Sequence, residues 1–351
     1  MNTPRQAGLL QICPHDSAPF GDLLQVYQQA AQAANLQCRT IVLSSPSGQP
    51  LPNCEYLGLS NLSQTGKLKR LLRNWVRADW DLVLCHRYRA YLGAVKAGVD
   101  KQRCVTLAHE FGFFNKWRRR LNRQLFASEV HFAGVSRPVS EELAHITGHS
   151  MILPNALDAE SVRKQALSRD NALRGLGLAA GGFTIGVVGR LHYKKRPELA
   201  YQAYLSFKQR NPRARLVFVG EGELSTQLKQ FNDPDVFFTG QVEDARRYFK
   251  AFDALLYPAV ADSFGMVPLE AMNLGVPVVC LKKHGPAYVL GPLGYYAQED
   301  SAAGYATALQ QVLGADTHEL AKLGAERVEQ HFSISAVTRT LDHLLIEMTQ
   351  A

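Results

Sequence analysis

A repeated alternation runs through the sequence, in which short, continuously apolar runs are separated by longer stretches with helical spacing. Ile185-Gly186-Val187-Val188 and Leu216-Val217-Phe218-Val219 carry no polar side chain on either face, as parallel strands covered on both sides require. In the first half the candidate strands are Leu9–Cys13, Arg39–Leu43, Leu82–Cys85, Cys104–Leu107, Phe132–Val135 and Met151–Leu153. In the second half they are Phe183–Val188, Leu216–Val219, Val236–Thr239, Ala254–Tyr257 and Val276–Cys280. Between them, Pro197 to Arg210 opens with proline at a first-turn position, sets Leu199, Ala200, Ala203, Tyr204 and Phe207 at helical spacing, and stops before Asn211-Pro212.

Strand–helix alternation of this kind predicts α/β architecture with doubly wound parallel sheets. At 351 residues the chain is longer than one ordinary domain. We therefore expect two Rossmann-like domains, 1–155 and 156–334, divided in the segment Pro154–Ser161. The amphipathic stretch Ser335–Thr349, with Val337, Leu341, Leu344 and Leu345, predicts a last helix, and the terminal segment 335–351 is expected to return to the first domain.

With 46% hydrophobic and 20% charged residues, each half can bury a core, which excludes a disordered chain. No run approaches the roughly 20 apolar residues that cross a bilayer. The opening MNTPRQAGLLQIC lacks the layout of a signal peptide, so a cytoplasmic location is expected, with peripheral membrane contact allowed. Cys13, Cys38, Cys54, Cys85, Cys104 and Cys280 form no CxxC pair and read as buried free thiols, neither a metal site nor a disulfide framework. The net charge of +8 selects anionic partners: phosphates, nucleic acid or an acidic membrane surface.

The most informative segment runs from Tyr257 to Met272, YPAVADSFGMVPLEAM. It reads as a strand end, a glycine-containing loop and a helix starting near Val267–Pro268, whose first amides and dipole make an anion site. Asp262 precedes the loop and Glu270 is placed in the first helical turn; carboxylates there suit sugar hydroxyls rather than phosphate. They could equally serve only the turn and the helix dipole. A second segment, GVVGRLHYKKR, sets Arg190 and Lys195 after a strand at the sheet edge where doubly wound folds bind ligands. A guanidinium and an ammonium together suit a diphosphate leaving group, although a solvated basic loop would look the same. A third, Val219-Gly220-Glu221-Gly222, is too short for a dinucleotide fingerprint and speaks against a dehydrogenase.

In order and spacing these segments resemble the retaining glycosyltransferases of family 4, which adopt the GT-B fold of two Rossmann-like domains facing a cleft. The resemblance runs from Ser136 to Phe332 and takes in Pro154-Asn155 and His331-Phe332-Ser333. It implies a donor site in which Asp262 and Glu270 stand at the spacing of the family's two glutamates. Arg190 and Lys195 would grip the donor diphosphate, with Gly189, Gly220 and Gly222 at the adjoining turns and Ser263, Phe264, Gly265, Met266 and Val267 offering amides. His109 matches a histidine close to the donor sugar, and Gly21 is the nearest counterpart of the glycine loop under the phosphates. Two departures stand out. Asp262 replaces the first glutamate and reaches about 1.5 Å less far, and the usual Gly-Gly pair is absent at Gly21.

The implied chemistry transfers a sugar from a nucleotide-diphosphate sugar, a UDP-sugar favoured, with retention, no cofactor and no metal, since cationic side chains take the metal's place. Retention would follow a front-face displacement in which the departing diphosphate oxygen helps deprotonate the acceptor hydroxyl, because no carboxylate is placed for the double-displacement route. Two basic amphipathic segments in the first half are candidate docks for an anionic glycolipid, an oligosaccharide or the inner membrane surface. Thr65–Trp80 sets Leu68, Leu71, Leu72, Trp75 and Val76 among Lys67, Lys69, Arg70, Arg73 and Arg77. Phe111–Phe126 sets Phe113, Phe114, Trp117, Leu121 and Leu125 among Lys116, Arg118, Arg119, Arg120 and Arg123. Both could instead be core-packed helices with solvated charges. An envelope glycan such as a lipopolysaccharide core would suit such an acceptor. Two alternatives stay open: a nucleotide-sugar epimerase on the same fold, and a nucleic-acid-binding protein, against which no RNA- or DNA-binding signature is present.

Overall fold

Each pairing between named strands in this computed structural model is parallel. The structure describes residues 6–59, 65–76, 78–126 and 128–350, less the side chains at 65, 126, 349 and 350. Arg77 lies outside the described residues.

Two compact units divide the chain, one formed by Met1–Leu157 with Gln330–Ala351 and the other by Asp158–Glu329. The first carries β1 (Gly8–Cys13), β2 (Gln37–Val42), β3 (Cys54–Tyr56), β4 (Leu82–His86), β5 (Cys104–Ala108), β6 (His131–Gly134) and β7 (Met151–Ile152). They are ordered β3-β2-β1-β4-β5-β6-β7. Every residue of β1, β4 and β5 is buried, because helices cover both faces of the centre of the sheet. The last helix, Ile334–Gln350, belongs to this unit: Leu157 N–H donates to Phe332 O, and Thr338 Oγ1 donates to Ala30 O on the helix Phe20–Ala33.

The second unit carries β8 (Phe183–Val188), β9 (Ala214–Val219), β10 (Val236–Phe238), β11 (Ala254–Tyr257), β12 (Val278–Leu281) and β13 (Tyr295–Ala297). Their order, β10-β9-β8-β11-β12-β13, reverses direction between β8 and β11. That reversal is where such sheets open a crevice at their carboxyl ends. Ile185, Leu216, Phe218 and Leu256 from the strands and Tyr204, Phe207 and Leu309 from the helices fill the core beneath it.

The apolar runs anticipated all the strands except β3 and β13. Each of these is a three-residue edge strand, Cys-Glu-Tyr and Tyr-Tyr-Ala, whose exposed side needs no continuous apolar run. The six cysteines are free thiols, four of them buried.

Candidate functional site

In the second unit the strand-end loops are built around glycine. Gly189 ends β8 at φ 130° and donates to Val219 O, and Arg190 follows, exposed. Gly220 sits at φ 129°, and a Cβ there would lie 2.3 Å from Gly189 O. A Cβ on Gly222 would lie 2.2 Å from Leu191 O. Leu191 N–H donates to Glu221 O, and Leu224 N–H to Leu191 O, so the loops after β8 and β9 are zipped together with no room for side chains. The basic run then divides. Arg196 turns to Asp300 (Nη1–Oδ1 2.6 Å), Lys194 stays exposed, and Lys195 turns inward.

Lys195 Nζ donates to Asp262 Oδ2 at 2.9 Å and to the Tyr257 hydroxyl at 2.6 Å. Tyr257 OH also donates to Asp262 Oδ2. The Phe264 amide donates to Asp262 Oδ1 at 3.2 Å, so this amide serves the loop itself. Burial pushes the Asp262 carboxyl up, but the Lys195 charge and the hydrogen bonds from Lys195 and Tyr257 outweigh it and hold the group below the usual range. Burial, and after it the neighbouring Asp262 charge, pushes the Tyr257 phenol up, so it stays a donor at neutral pH.

The helix Met266–Asn273 starts one residue before the expected position, at a Gly265 Ncap (φ 97°) that supplies no capping side chain. The Met266 and Val267 amides are at its first two positions, where no intrahelical acceptor exists, and Pro268 at the third has no N–H. Glu270 is the fifth helical residue, not a first-turn residue as expected. Helix-dipole complementarity therefore does not account for it, and its Oε1 lies 3.9 Å from Arg246 Nη1. Arg246 is further held by Asp244 (Nε–Oδ1 2.6 Å). The sequence reading missed Tyr257, Arg246 and Gly285. Gly285 N–H donates to Asp262 O, and a Cβ there would lie 2.2 Å from the Phe264 nitrogen. The small residue after β12 is the signal that could have found it.

In the first unit His109 directly follows β5. Its Nε2 is 3.0 Å from Nδ1 of the buried His86, and the two rings stack. Phe20 meets the His109 ring edge-on at 4.9 Å between centroids, and His15 meets Phe20 in the same way. Arg87, a non-glycine residue at φ 68°, lies over Phe20 and reaches Glu110 (Nη2–Oε2 3.0 Å) and His15 (Nη1–Nε2 3.1 Å). None of His15, Phe20, His86, Arg87 or Glu110 was singled out from the sequence, where they are scattered single residues. Gly21 is in the first turn of the helix Phe20–Ala33, not in a loop, and is small because a Cβ would lie 2.9 Å from Asp16 O.

The two basic segments behave differently. In the helix Thr65–Val76, Leu68, Leu72 and Val76 are buried, with Lys67, Arg70 and Arg73 exposed around them. Before the helix Trp117–Phe126, Phe113 and Phe114 are core residues, whereas Trp117, Leu121 and Leu125 on the helix are 69%, 48% and 60% exposed. Lys116, Arg118 and Arg120 are exposed beside them, and Arg119 lies over the Tyr88 ring and donates to Phe113 O. Among the described residues no helix is long and apolar enough to cross a membrane.

Residues 182–315, which carry all these strand-end loops of the second unit, match the family model "Glycosyl transferases group 1". Those residues are a glycosyl transferases group 1 domain. D-inositol 3-phosphate glycosyltransferase of Pseudarthrobacter chlorophenolicus is 29% identical over 156 residues, covering 40% of this chain and 37% of that protein. Alignments with the curated relatives span roughly a third to a half of their length. Among solved structures, HepE of Anabaena in complex with UDP and glucose superposes with a TM-score of 0.75 at 19% identity, over 96% of this chain and 99% of that one. WaaG, described as a glycosyltransferase involved in lipopolysaccharide biosynthesis, gives 0.70 at 17%, over 96% and 99%. The fold of the whole chain is thus GT-B, two Rossmann-like parallel-sheet domains, and the resemblance to family 4 holds for the group 1 domain.

Proposed function

We propose that the chain is a retaining, metal-independent glycosyltransferase that moves a sugar from a nucleotide-diphosphate sugar, a UDP-sugar by preference, to a hydroxyl of an anionic glycan or glycolipid. The observation that carries this reading is the cluster of Lys195, Asp262 and Tyr257 in the group 1 domain, whose strand-end loops also carry Arg190 and the uncapped helix at Gly265. Arg190, Lys195 and the Met266 and Val267 amides neutralise the departing diphosphate in this assignment, standing where other enzymes use a metal. Glu270, partly buried near Arg246, holds the ribose hydroxyls. Asp262 orients the sugar and, at the same time, fixes the Lys195 ammonium. His109 lines the reacting centre. Retention follows the front-face route, with the diphosphate oxygen taking the acceptor's proton.

The exposed stripe Trp117-Leu121-Leu125 among arginines supports docking on an anionic membrane surface, where an envelope glycolipid would be the acceptor. The likeness to a structure described as taking part in lipopolysaccharide biosynthesis agrees with this. A cytoplasmic place on the inner membrane face goes with it.

Thermal-shift screening against UDP-, GDP-, ADP- and TDP-sugars, with UMP and short DNA as controls, tests the reading. One nucleotide sugar present far above its dissociation constant should stabilise the fold by a few kcal/mol. The shift should vanish in folded Arg190→Ala and Glu270→Ala variants. No shift with any nucleotide beside a clear shift with DNA would overturn it.

A further inference from the structure

Beneath His109, in the first unit, runs a chain of hydrogen bonds whose direction is set at one end by a backbone carbonyl. Gln11, fully buried in β1, donates from Nε2 to Leu24 O at 3.3 Å and to Thr40 Oγ1 at 3.0 Å. A carbonyl can only accept, so the amide cannot be turned round without setting two acceptors against each other. Gln11 Oε1 therefore faces His86 Nε2 at 2.9 Å and requires a proton there. A neutral His86 then has only a lone pair at Nδ1, and the His109 Nε2, 3.0 Å away, must be the donor. The Asn155 side chain also hydrogen-bonds the His109 ring.

We propose that Gln11 and His86 are positioning residues that fix His109 as its Nε2–H tautomer, with Nδ1 as the acceptor nitrogen and the ring plane held for the reaction. The inference rests on the reading of His109 as the residue lining the reacting centre.

The surroundings favour the neutral rings this polarity needs. Burial holds His86 down at about 3, and burial, together with the positive charge that Arg87 carries and that a protonated His86 would add, holds His109 well below its ordinary value. Among the described residues, titratable or charged groups beside the pair include Tyr27, packed edge-on against His86, and Arg87, with His15 and Glu110 beyond it.

The test begins on the unaltered protein and needs no substrate. In long-range 1H–15N spectra of histidine-labelled chain, assigned with His86→Gln and His109→Gln, both rings should carry the proton on Nε2 from pH 5.5 to 8. A proton on His109 Nδ1, or a charged ring in that range, overturns the proposal. The second arm uses Gln11→Glu, nearly isosteric, which places a carboxylate on His86 Nε2 and stabilises the imidazolium. A charged His86 donates from Nδ1, so His109 must move its own proton to Nδ1. The rate of nucleotide diphosphate release from the nucleotide sugar found by thermal shift should then fall at least tenfold in kcat at low pH, with little change in KM. It should recover as pH rises through the new His86 value, while Gln11→Met, uncharged, gives a pH-flat profile. A Gln11→Glu profile parallel to the unaltered protein's overturns the relay. Absence of any bound nucleotide sugar would overturn the proposed function and leave the spectroscopic arm to decide the tautomer.

Discussion

The Lys195 ammonium lies 2.9 Å from the Asp262 carboxylate, joining the loops after β8 and β11 at the carboxyl edge of the second sheet. Tyr257, buried at the end of β11, bonds both partners, so a cation and an anion far apart in sequence form one unit.

This unit makes the effect of Asp262 on stability pH-dependent. Its folded-state value is below the ordinary carboxylate range, so its contribution is present above about pH 3.9 and is lost as pH falls through the folded value. Asp262→Asn should thus be less stable than the unaltered chain at pH 6, and the two should converge once the pH has fallen below the folded-state value of Asp262. Tyr257→Phe, which removes a hydrogen bond to a charged group, should cost about 1.5–3 kcal/mol at neutral pH. Urea unfolding across pH measures both, and a difference that persists at low pH would count against the ion pair.

The glycines of the strand-end loops make a second, independent prediction. Gly222→Ala and Gly285→Ala each force a Cβ to within 2.2 Å of backbone atoms, which cannot yield as a flexible side-chain tip can. Each should cost about 1–3 kcal/mol and weaken nucleotide-sugar binding. By contrast Gly48→Ala, with nothing within 4 Å, should leave both within error.

Two helices alike in sequence should respond differently to mutation. Leu68→Ala or Leu72→Ala empties a buried site and should cost about 2–5 kcal/mol. Trp117→Ser, Leu121→Ser and Leu125→Ser remove exposed side chains and should each stay within about 0.5 kcal/mol. Co-sedimentation with vesicles containing anionic lipid should nonetheless be lost in the triple serine variant, and in the unaltered chain should weaken with salt. Undiminished vesicle binding by that variant would remove the stripe from the docking surface.

His86 contributes a separate pH effect. Its folded value, about 3, is lower than that of the unfolded chain, so the unfolded state takes up a proton as pH falls below about 6.5 while the folded state does not. Stability should fall between pH 6.5 and 4, and less steeply in a folded His86→Phe variant. Equal slopes in the two proteins would show that His86 is already charged in the fold.

The architecture was legible in the sequence, because a parallel sheet covered on both faces calls for short, continuously apolar runs alternating with helical stretches, and β8, β9 and β11 show them without tertiary information. The sequence also put Arg190 and Lys195 after β8 and Asp262 after β11, since each position is set along one strand-loop-helix unit at a time. It did not reveal that Asp262 is held by Lys195, that Glu270 belongs to the second turn beside Arg246, or that Gln11, His86 and His109 form one chain. It also could not tell the buried helix at Leu68 from the exposed stripe at Trp117, because both have the same basic amphipathic pattern. Those relations arise only when strands distant in sequence are laid side by side in register, and packing then decides which apolar face is covered and which polar atom finds a partner.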